Sequence, residues 1–503
     1  MPFKLKIIRK SGVKMIDAEK GDNLLEILRD NQLEIDSPCG GNGRCGKCRL
    51  KFNGKESLAC RTFVEGDAEV ELIGGEEKYT NEHDMSAVSD SDIREGDIFA
   101  AAIDIGTTTI SAELLCLRNM HSVARESCMN HQKAFGGDVI SRIDAAVGGR
   151  AASLRAAVQK DIIDLLRKML FNLSVKEGAL KEIVISANTT MIHLLMGLDL
   201  SGMASSPFKP ERLEFAPLKF AEVFGRVGSF DAKVIIIPGL SAFIGGDIIS
   251  GIYALKIHEK DEKIGFIDLG TNAEMAVGNR KRIYLASAAA GPAFEGGNIS
   301  MGMAGVEGAI SDVRIDKKSG RVRIKTIADS LPRGICGTGI ISAIAEMFKT
   351  GIILENGSLK DEYIKGGFTL AETDLRRIKI SQEDIHNLML AKAAAAAGFE
   401  TIISEAGSSF DEISSLYMAG SFAEYLKIED AAEISLIPRE LRAKTLTVGN
   451  SSLKGALRYI RNPGKADEDI KKILSICVVA ELSEIERFEK SFIDNMCFFS
   501  YNE

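Results

Sequence analysis

The sequence predicts a multidomain protein of α/β and α+β class, in which a small β-rich domain with a cysteine-rich loop precedes a duplicated α/β unit of two lobes. Its 503 residues exceed a single core and, at roughly 100 to 200 residues per domain, suggest about three units. Four of the nine cysteines lie within residues 39–60, and a strand, Asp, Gly, Thr arrangement occurs twice. We therefore predict domains at 1–75, 98–240 and 241–503, the last with a C-terminal segment, and a linker at 76–97.

Composition and charge exclude several classes of protein. The chain is 45% hydrophobic and 27% charged, which is typical of a globular protein and excludes disorder over most of its length. A net charge of -8 repels phosphate backbones and anionic lipid, so we expect no nucleic acid partner. No apolar run of about 18 residues and no signal peptide are present, so we expect no membrane span and a cytoplasmic location.

The cysteine cluster is the strongest single motif. Residues 38–48 read PCGGNGRCGKC and Cys60 follows, which predicts Cys39, Cys45, Cys48 and Cys60 as metal ligands with the spacing C-x5-C-x2-C-x11-C. Three of them share one glycine-rich loop, whose glycines permit positive φ and bring N–H groups to the sulfurs. A structural zinc site is the alternative, but zinc ribbons usually present two separated C-x2-C pairs. The pattern favours an iron-sulfur cluster.

The flanks of this loop predict its scaffold. FKLKIIRKSGVKMIDA alternates as a hairpin with its turn near Ser11 and Gly12, and GDNLLEILRDN predicts a short helix directly before the loop. The combination resembles the plant and vertebrate type 2Fe-2S ferredoxins, which implies a ferredoxin-like β-grasp domain. The fourth cysteine follows the third by fewer residues than that resemblance leads one to expect.

Two segments predict a phosphate clamp. IFAAAIDIGTTTISAELL and KIGFIDLGTNAEMAVG both read as strand, Asp, Gly, hydroxyl-rich turn, strand, about 164 residues apart. An aspartate at a strand end can organise Mg2+ through water, and glycine, hydroxyl and N–H groups can bind phosphate oxygens. Asp104 and Asp268 are the predicted carboxylates, although either could instead cap its own turn. The predicted phosphate-binding residues are Gly106, Thr107, Thr108, Gly270, Thr271 and Asn272.

Three further segments supply candidates. Asn188 follows the apolar strand EIVIS. It could orient a water molecule that attacks a bound phosphate group, or it could cap the next helix. Asp247 in IGGDI is open to the same two interpretations. In GICGTG, Gly337 and Thr338 begin a helix whose N–H groups could meet the nucleotide, while Cys336 is interpreted as a buried filler.

These motifs carry a resemblance over nearly the whole chain. DIGTTT and DLGTN are similar to the two phosphate motifs of the actin, sugar-kinase and heat-shock-chaperone superfamily, and MAGSFAEYL is similar to its adenosine motif, which places Gly420 and Ser421 near the base. Together with the ferredoxin-like start, the chain resembles the reductive activators of corrinoid enzymes. The resemblance implies a duplicated, two-lobed actin-like ATPase fold after the β-grasp domain.

The same resemblance implies a function. It implies an ATP-hydrolysing reductase that passes one electron through a 2Fe-2S cluster and converts Co(II) to Co(I) in a corrinoid protein, either of a methyltransferase system or a corrinoid iron-sulfur protein. The implied cofactors are the 2Fe-2S cluster, ATP and Mg2+. The implied donor is a low-potential protein such as ferredoxin or flavodoxin, and a homodimer stays open.

Three alternatives also stay open. They are an ATP-driven electron donor to a dehydratase or reductase, a small-molecule kinase with a redox domain, and a chaperone or scaffold that binds ATP without a redox role.

Overall fold

A computed structural model describes residues 2–9, 12–31, 33, 35, 37, 39, 41, 43, 46–72, 93–374, 376–420 and 423–498. Cys45, Ser421, the predicted turn at Ser11 and residues 76–92 of the predicted linker lie outside the described residues. No helix in these described ranges is both long enough and apolar enough to cross a membrane.

The N-terminal domain is a five-stranded mixed sheet with one helix. The strand order is β2-β1-β5-β3-β4, with β1 and β5 parallel and the other neighbours antiparallel. The predicted hairpin and the predicted helix are both confirmed, and the Asn23 side chain caps that helix by accepting from Leu25 N. The elements are β1 (Phe3–Arg9), β2 (Gly12–Ala18), α1 (Leu24–Asp30), β3 (Arg49–Phe52), β4 (Lys55–Leu58) and β5 (Ala68–Leu72).

The next unit is a six-stranded sheet in the order β10-β11-β9-β6-β7-β8. β6 is buried along almost its whole length, as expected for a strand between two helical layers. The elements are β6 (Phe99–Ile105), β7 (Thr109–Cys116), β8 (His121–Met129), α2 (Val139–Ala145), α3 (Ala151–Asn172), β9 (Leu180–Ala187), α4 (Thr189–Met196), β10 (Leu218–Lys219), α5 (Phe220–Phe224), β11 (Lys233–Ile236) and α6 (Gly246–Leu255).

The last unit contains a second six-stranded sheet, in the order β21-β20-β12-β13-β14-β22, and two small sheets. Its elements are β12 (Lys263–Leu269), β13 (Ala273–Gly278), β14 (Ile283–Ala288), β15 (Ala309–Ile315), β16 (Val322–Thr326), β17 (Gly334–Ile335), α7 (Gly337–Lys349), α8 (Asp361–Ile364), β18 (Phe368–Glu372), β19 (Arg377–Ile380), α9 (Gln382–Glu405), β20 (Ile413–Ala419), α10 (Ile428–Glu433), β21 (Thr445–Gly449), α11 (Ser451–Arg461), α12 (Pro463–Ile476), β22 (Cys477–Val479) and α13 (Glu486–Asp494).

The two large sheets repeat one design. Five strands of the first, β11-β9-β6-β7-β8, match β21-β20-β12-β13-β14 of the second in order and in direction. Asp104 and Asp268 are each the penultimate residue of the equivalent strands β6 and β12. The duplication therefore puts both aspartates at the carboxyl edge of a sheet, where open α/β sheets bind ligands.

A pair of helices joins the two sheets. Side chains from β6 and β12 share one core cluster with α6 and α11. The helices meet at small residues: Ser250 Oγ donates to Ser452 O at 2.7 Å, and a Cβ on Gly455 would lie 2.2 Å from Ser250 O. Because both helices begin at the cleft, this contact sets how the two lobes face each other.

Candidate nucleotide site and iron-sulfur centre

Three of the four predicted cluster ligands lie in the described part of the chain. Cys48 is buried, Cys39 and Cys60 are partly exposed, and the described cysteines form no disulfide. The Sγ atoms of Cys48 and Cys60 lie 3.3 Å apart. This exceeds a disulfide bond of about 2.05 Å and approaches the separation of about 3.7 Å for two thiolates on one tetrahedral metal with bonds of about 2.3 Å.

The loop geometry fits a bound metal centre. Gly41, Gly43 and Gly46 all have positive φ, at 99°, 71° and 63°, a conformation that favours glycine. A short 3-10 turn after β4 carries Cys60 back to Cys48, so the early fourth cysteine still reaches the loop. The thiols and the glycine backbone therefore form a donor set suited to an iron-sulfur cluster.

The first phosphate turn follows β6. Gly106 N donates to Thr109 O at 3.0 Å and closes the turn, and a Cβ on Gly106 would lie 2.7 Å from that carbonyl oxygen. Asn130 Nδ2 donates to Gly106 O at 2.9 Å, and Arg142 Nη2 donates to Thr107 O at 2.5 Å. These donors hold the backbone of the turn in place, while the Thr108 hydroxyl reaches Glu295.

The second turn follows β12 and is open on its cleft side. Gly270 N donates to Asn272 O at 2.8 Å, and the nearest atom to a Cβ built on Gly270 is 3.8 Å away. Glycine at this position therefore leaves space in front of the turn, which a phosphate oxygen can fill.

One carboxylate bridges the two turns. Glu295 Oε2 accepts from Thr108 Oγ1 at 2.8 Å and from Thr271 Oγ1 at 2.9 Å. The side chain comes from a short 3-10 segment flanked by Gly291 and Gly296, whose φ values are 77° and 80°. The Glu295 carboxylate thus already occupies the position between the two lobes to which both threonine hydroxyls donate.

Five acidic side chains crowd the cleft. Burial, followed by the charges of Asp247 and Asp104, raises the pKa of Asp268 to about 8. Burial is also the main cause that raises the pKa of Asp104, Asp247, Glu274 and Glu295. Each of these five residues is partly exposed. Such a set needs a cation before all its members can ionise.

Asp104 is held in place by the start of α11. Asn450 Nδ2 donates to Asp104 Oδ2 at 2.7 Å, and Ser452 Oγ donates to Asp104 Oδ1 at 2.6 Å. Because α11 also packs on α6, the position of Asp104 depends on the contact between the lobes.

Asn188 and Asp247, each predicted either to cap a helix or to act in the site, are placed for both roles. Asn188 Oδ1 accepts from Met191 N at 2.9 Å and so caps α4, while its Nδ2 lies 3.4 Å from Thr107 Oγ1. Asp247 Oδ1 accepts from Ile248 N in the first turn of α6, and its charge acts on Asp268 across the cleft. Each side chain therefore has a local role and also faces the predicted phosphate or cation site.

Two of the remaining candidates are glycines in tightly packed positions. Gly420 follows β20 with φ 119°, and a Cβ there would lie 2.2 Å from Leu269 O and 3.4 Å from Asp268 Oδ1. Gly337 begins α7, where a Cβ would meet Phe294 O at 1.8 Å, so this glycine is required by close packing. Thr338 is buried, and its hydroxyl contacts the thiol of Cys336, itself buried as predicted.

Comparisons with known proteins cover most of the chain. Family models described as "2Fe-2S iron-sulfur cluster binding domain", "RACo middle region" and "C-terminal domain of RACo the ASKHA domain" match residues 8–71, 99–260 and 262–503. The corrinoid activation enzyme RamQ of Eubacterium limosum is 30% identical over 436 residues, which span 81% of this chain and 72% of that protein. This chain belongs to the RACo family of corrinoid activators.

Two more proteins are similar to the chain. A Co(II) methylated amine-specific corrinoid protein reductase of Methanosarcina barkeri is 26% identical, over 77% of this chain and 75% of that protein. The solved structure of a reductive activator for corrinoid, iron-sulfur protein superposes with a TM-score of 0.74 at 28% identity, and covers 99% of this chain and 98% of the other. The resemblance to reductive activators and the predicted fold class are therefore confirmed, and as a member of the RACo family the chain combines an iron-sulfur domain with a nucleotide-binding domain.

Sequence reasoning missed the residues that tie this RACo-family site together. Glu295 lies in AAGPAFEGGNISMGMAG and carries a signal that could have been noticed, a glutamate followed directly by two glycines. Asn450 and Ser452 lie in a segment that resembles the family. Glu274 lies just after the second turn, in the segment KIGFIDLGTNAEMAVG, and faces Asp268 in the hairpin of β12 and β13, so it could have been found locally. Arg142 carries no local signal, because only the tertiary fold brings it to the first turn.

Proposed function

We propose that this chain uses ATP to drive one electron from a 2Fe-2S cluster to a corrinoid protein, which converts Co(II) to Co(I). The observation that carries the proposal is one polypeptide in which Cys60 meets Cys48 of the cysteine loop and two phosphate turns share the Glu295 carboxylate in a cleft. The names of the similar proteins, which are activators or reductases of corrinoid proteins, support the same assignment.

In this proposal Cys39, Cys45, Cys48 and Cys60 hold the 2Fe-2S cluster. The short distance between Cys48 and Cys60 supports a pairing of these two thiolates on one iron, with Cys39 and Cys45 on the other. The cluster would supply a one-electron carrier, which plant-type centres provide at about -400 mV. The glycine N–H groups of the loop stabilise the charge on the sulfurs.

The cleft would bind Mg2+ and the phosphates of ATP. Asp104, Asp247 and Asp268 are the carboxylates that would hold Mg2+, mostly through water, because this ion dehydrates reluctantly. Their raised pKa values support this, since a bound cation supplies the charge that lets them ionise. Asn188 stands beside the first turn, where it would orient the attacking water.

The two turns would hold phosphate with the groups predicted from the sequence. Phosphate oxygens would replace the Glu295 carboxylate as acceptors for Thr108 and Thr271, so ATP exchanges one anion for another between the lobes. The remaining phosphate contacts fall to Gly106, Thr107, Gly270 and Asn272. The nucleotide would extend toward Gly420, Ser421, Gly337 and Thr338.

The partners follow from the electron balance. Each turnover takes one electron from a low-potential donor such as ferredoxin or flavodoxin and gives one electron to cobalt, while ATP and water yield ADP and phosphate. We place this reaction in the reducing cytoplasm, which suits a chain whose described cysteines form no disulfide. A homodimer is compatible with the proposal.

The decisive experiment is a spectroscopic reduction assay. The purified protein, with its cluster reconstituted, is mixed with candidate corrinoid proteins and a low-potential donor, with and without Mg-ATP. We expect the Co(I) spectrum to form only when Mg-ATP is present. ATP turnover without Co(I) formation from any corrinoid protein of the same organism would contradict the proposal.

A further inference from the structure

The N-terminal domain is docked on the first lobe by an ion-paired contact. Arg150, just before α3, donates from Nη1 to Asp30 Oδ1 at 2.7 Å and also pairs with Glu26, so it binds two carboxylates of α1. All three side chains are partly exposed. Partly exposed pairs are individually weak, which suits a contact that must form and break.

A second contact lies beside the cysteine loop. Ser37, two residues before Cys39, donates from Oγ to Ala134 O of the first lobe at 2.9 Å. Arg29 of α1 donates from Nη2 to Ser37 Oγ at 3.2 Å, and its guanidinium lies 5.7 Å from the centre of the Phe135 ring. The approach to the cluster loop is therefore packed directly against residues 134 and 135.

The same lobe segment continues to the first phosphate turn. Arg142 is fully buried and donates from Nε to Gly136 O at 2.9 Å and from Nη2 to Thr107 O at 2.5 Å. Gly136 is packed so closely that a Cβ there would lie 2.8 Å from Arg142 N. The segment cannot shift at Gly136 without moving Arg142, because no space separates them.

We propose that residues 134–150 form a mechanical link between the phosphate turn and the docking site of the iron-sulfur domain, and that ATP binding weakens this docking. The inference rests on the proposed function and deepens it. When phosphate replaces Glu295 at the threonine hydroxyls, the turn shifts, and the Thr107 carbonyl carries Arg142 and Gly136 with it. Ala134 and Phe135 then no longer match the loop at Ser37, so the domain is released toward its redox partners.

Thermodynamic reciprocity makes this link testable. If ATP weakens docking by some factor, then complete release of the domain must tighten ATP binding by that same factor, and partial release must tighten it by less. Arg150→Glu breaks the ion pairs far from the phosphate turn, and adding Asp30→Arg restores an opposite-charge pair. Arg377→Glu is the control, because it breaks an ion pair of the same type at 2.7 Å with Glu372, in the hairpin of β18 and β19. Both side chains of that pair are exposed.

The experiment uses the full chain with its reconstituted cluster. Titration calorimetry measures the dissociation constant of a non-hydrolysable ATP analogue with Mg2+, and small-angle X-ray scattering measures the radius of gyration. We expect Arg150→Glu to increase the radius and to bind the analogue roughly five-fold tighter or more, the lower end of typical allosteric couplings. The double variant should return to the wild-type affinity, and Arg377→Glu should retain it.

Two results would overturn the link. One is an Arg150→Glu protein that expands but binds the analogue with wild-type affinity, and the other is an analogue that leaves the wild-type radius unchanged or reduces it. Both can occur while ATP still drives Co(I) formation, in which case the proposed function stands without the link. Loss of analogue binding in the wild-type protein itself would instead remove the proposed function.

Discussion

Replacing Asp268 by asparagine should stabilise the nucleotide-free fold while it removes Mg-ATP binding. In the unfolded chain the carboxyl group has a pKa of 3.8, whereas in the folded chain burial and the charges of Asp247 and Asp104 raise it to about 8. At pH 7 the folded protein therefore has to hold a proton that the unfolded chain has lost. Asparagine is similar in shape and takes no proton, so it escapes this cost.

The magnitude follows from the two pKa values. Protonating Asp268 at pH 7 costs about 1.4 kcal/mol for each of roughly three pH units above 3.8, or about 4 kcal/mol as an upper bound. Asp268 is partly exposed, so water screens part of its charge. We therefore expect the Asp268→Asn variant to gain about 2 to 4 kcal/mol in the free energy of unfolding at pH 7.

The sign of the pH dependence distinguishes this effect from better packing. A raised pKa in the folded state destabilises the fold increasingly as pH rises above 3.8, and the effect levels off above about pH 8. The advantage of the variant should thus be small near pH 4 and grow up to about pH 8. Urea unfolding of the nucleotide-free proteins at pH 5, 6, 7 and 8 measures it.

A matched control is Asp411→Asn, which changes an exposed carboxylate remote from the cleft. Its free energy of unfolding should stay within about 0.5 kcal/mol of the wild type. The reasoning is refuted if Asp268→Asn is less stable than the wild type at pH 8, or if its advantage does not grow between pH 5 and pH 8.

Three further predictions concern the cluster, the cation and the packing of the cleft. Cys48→Ser should lose the electron paramagnetic resonance signal of the reduced cluster, whereas Cys497→Ser, at a thiol outside the cysteine loop, should keep it; equal signals would contradict the ligand assignment. Calorimetry should show the Mg-nucleotide affinity rising by up to about ten-fold per pH unit from pH 6 to pH 8, because the cation displaces the proton of Asp268. An affinity independent of pH would exclude Asp268 as a group that binds the cation. Gly337→Ala should lower the free energy of unfolding by about 1 to 3 kcal/mol, because its Cβ would meet a carbonyl oxygen at 1.8 Å. The control Gly464→Ala, in open space within α12, should be neutral or slightly stabilising. Equal denaturation midpoints for the two variants would show that the packing at α7 relaxes freely.

Much of this protein could be predicted from local sequence. The spacing of Cys39, Cys45, Cys48 and Cys60 predicts a loop around a metal centre, since ligands close in sequence need little help from the rest of the fold to converge. The repeated strand, Asp, Gly, Thr segments predicted the duplication, because each copy is a complete turn whose chemistry is local. The equivalent positions of Asp104 and Asp268 in two matching sheets agree with that expectation.

What the sequence alone could not decide is how these local units meet. Glu295 reaches Thr108 across 187 residues of chain and Asn450 reaches Asp104 across 346, so each contact depends on how the sheets and helices pack. The raised pKa of Asp268 has the same origin, since burial and neighbouring charges come from separate strands. Local chemistry therefore identified the parts, whereas only the tertiary structure placed a carboxylate between the two phosphate turns and a buried arginine between the cluster loop and the cleft, because both arrangements are made by contacts distant in sequence.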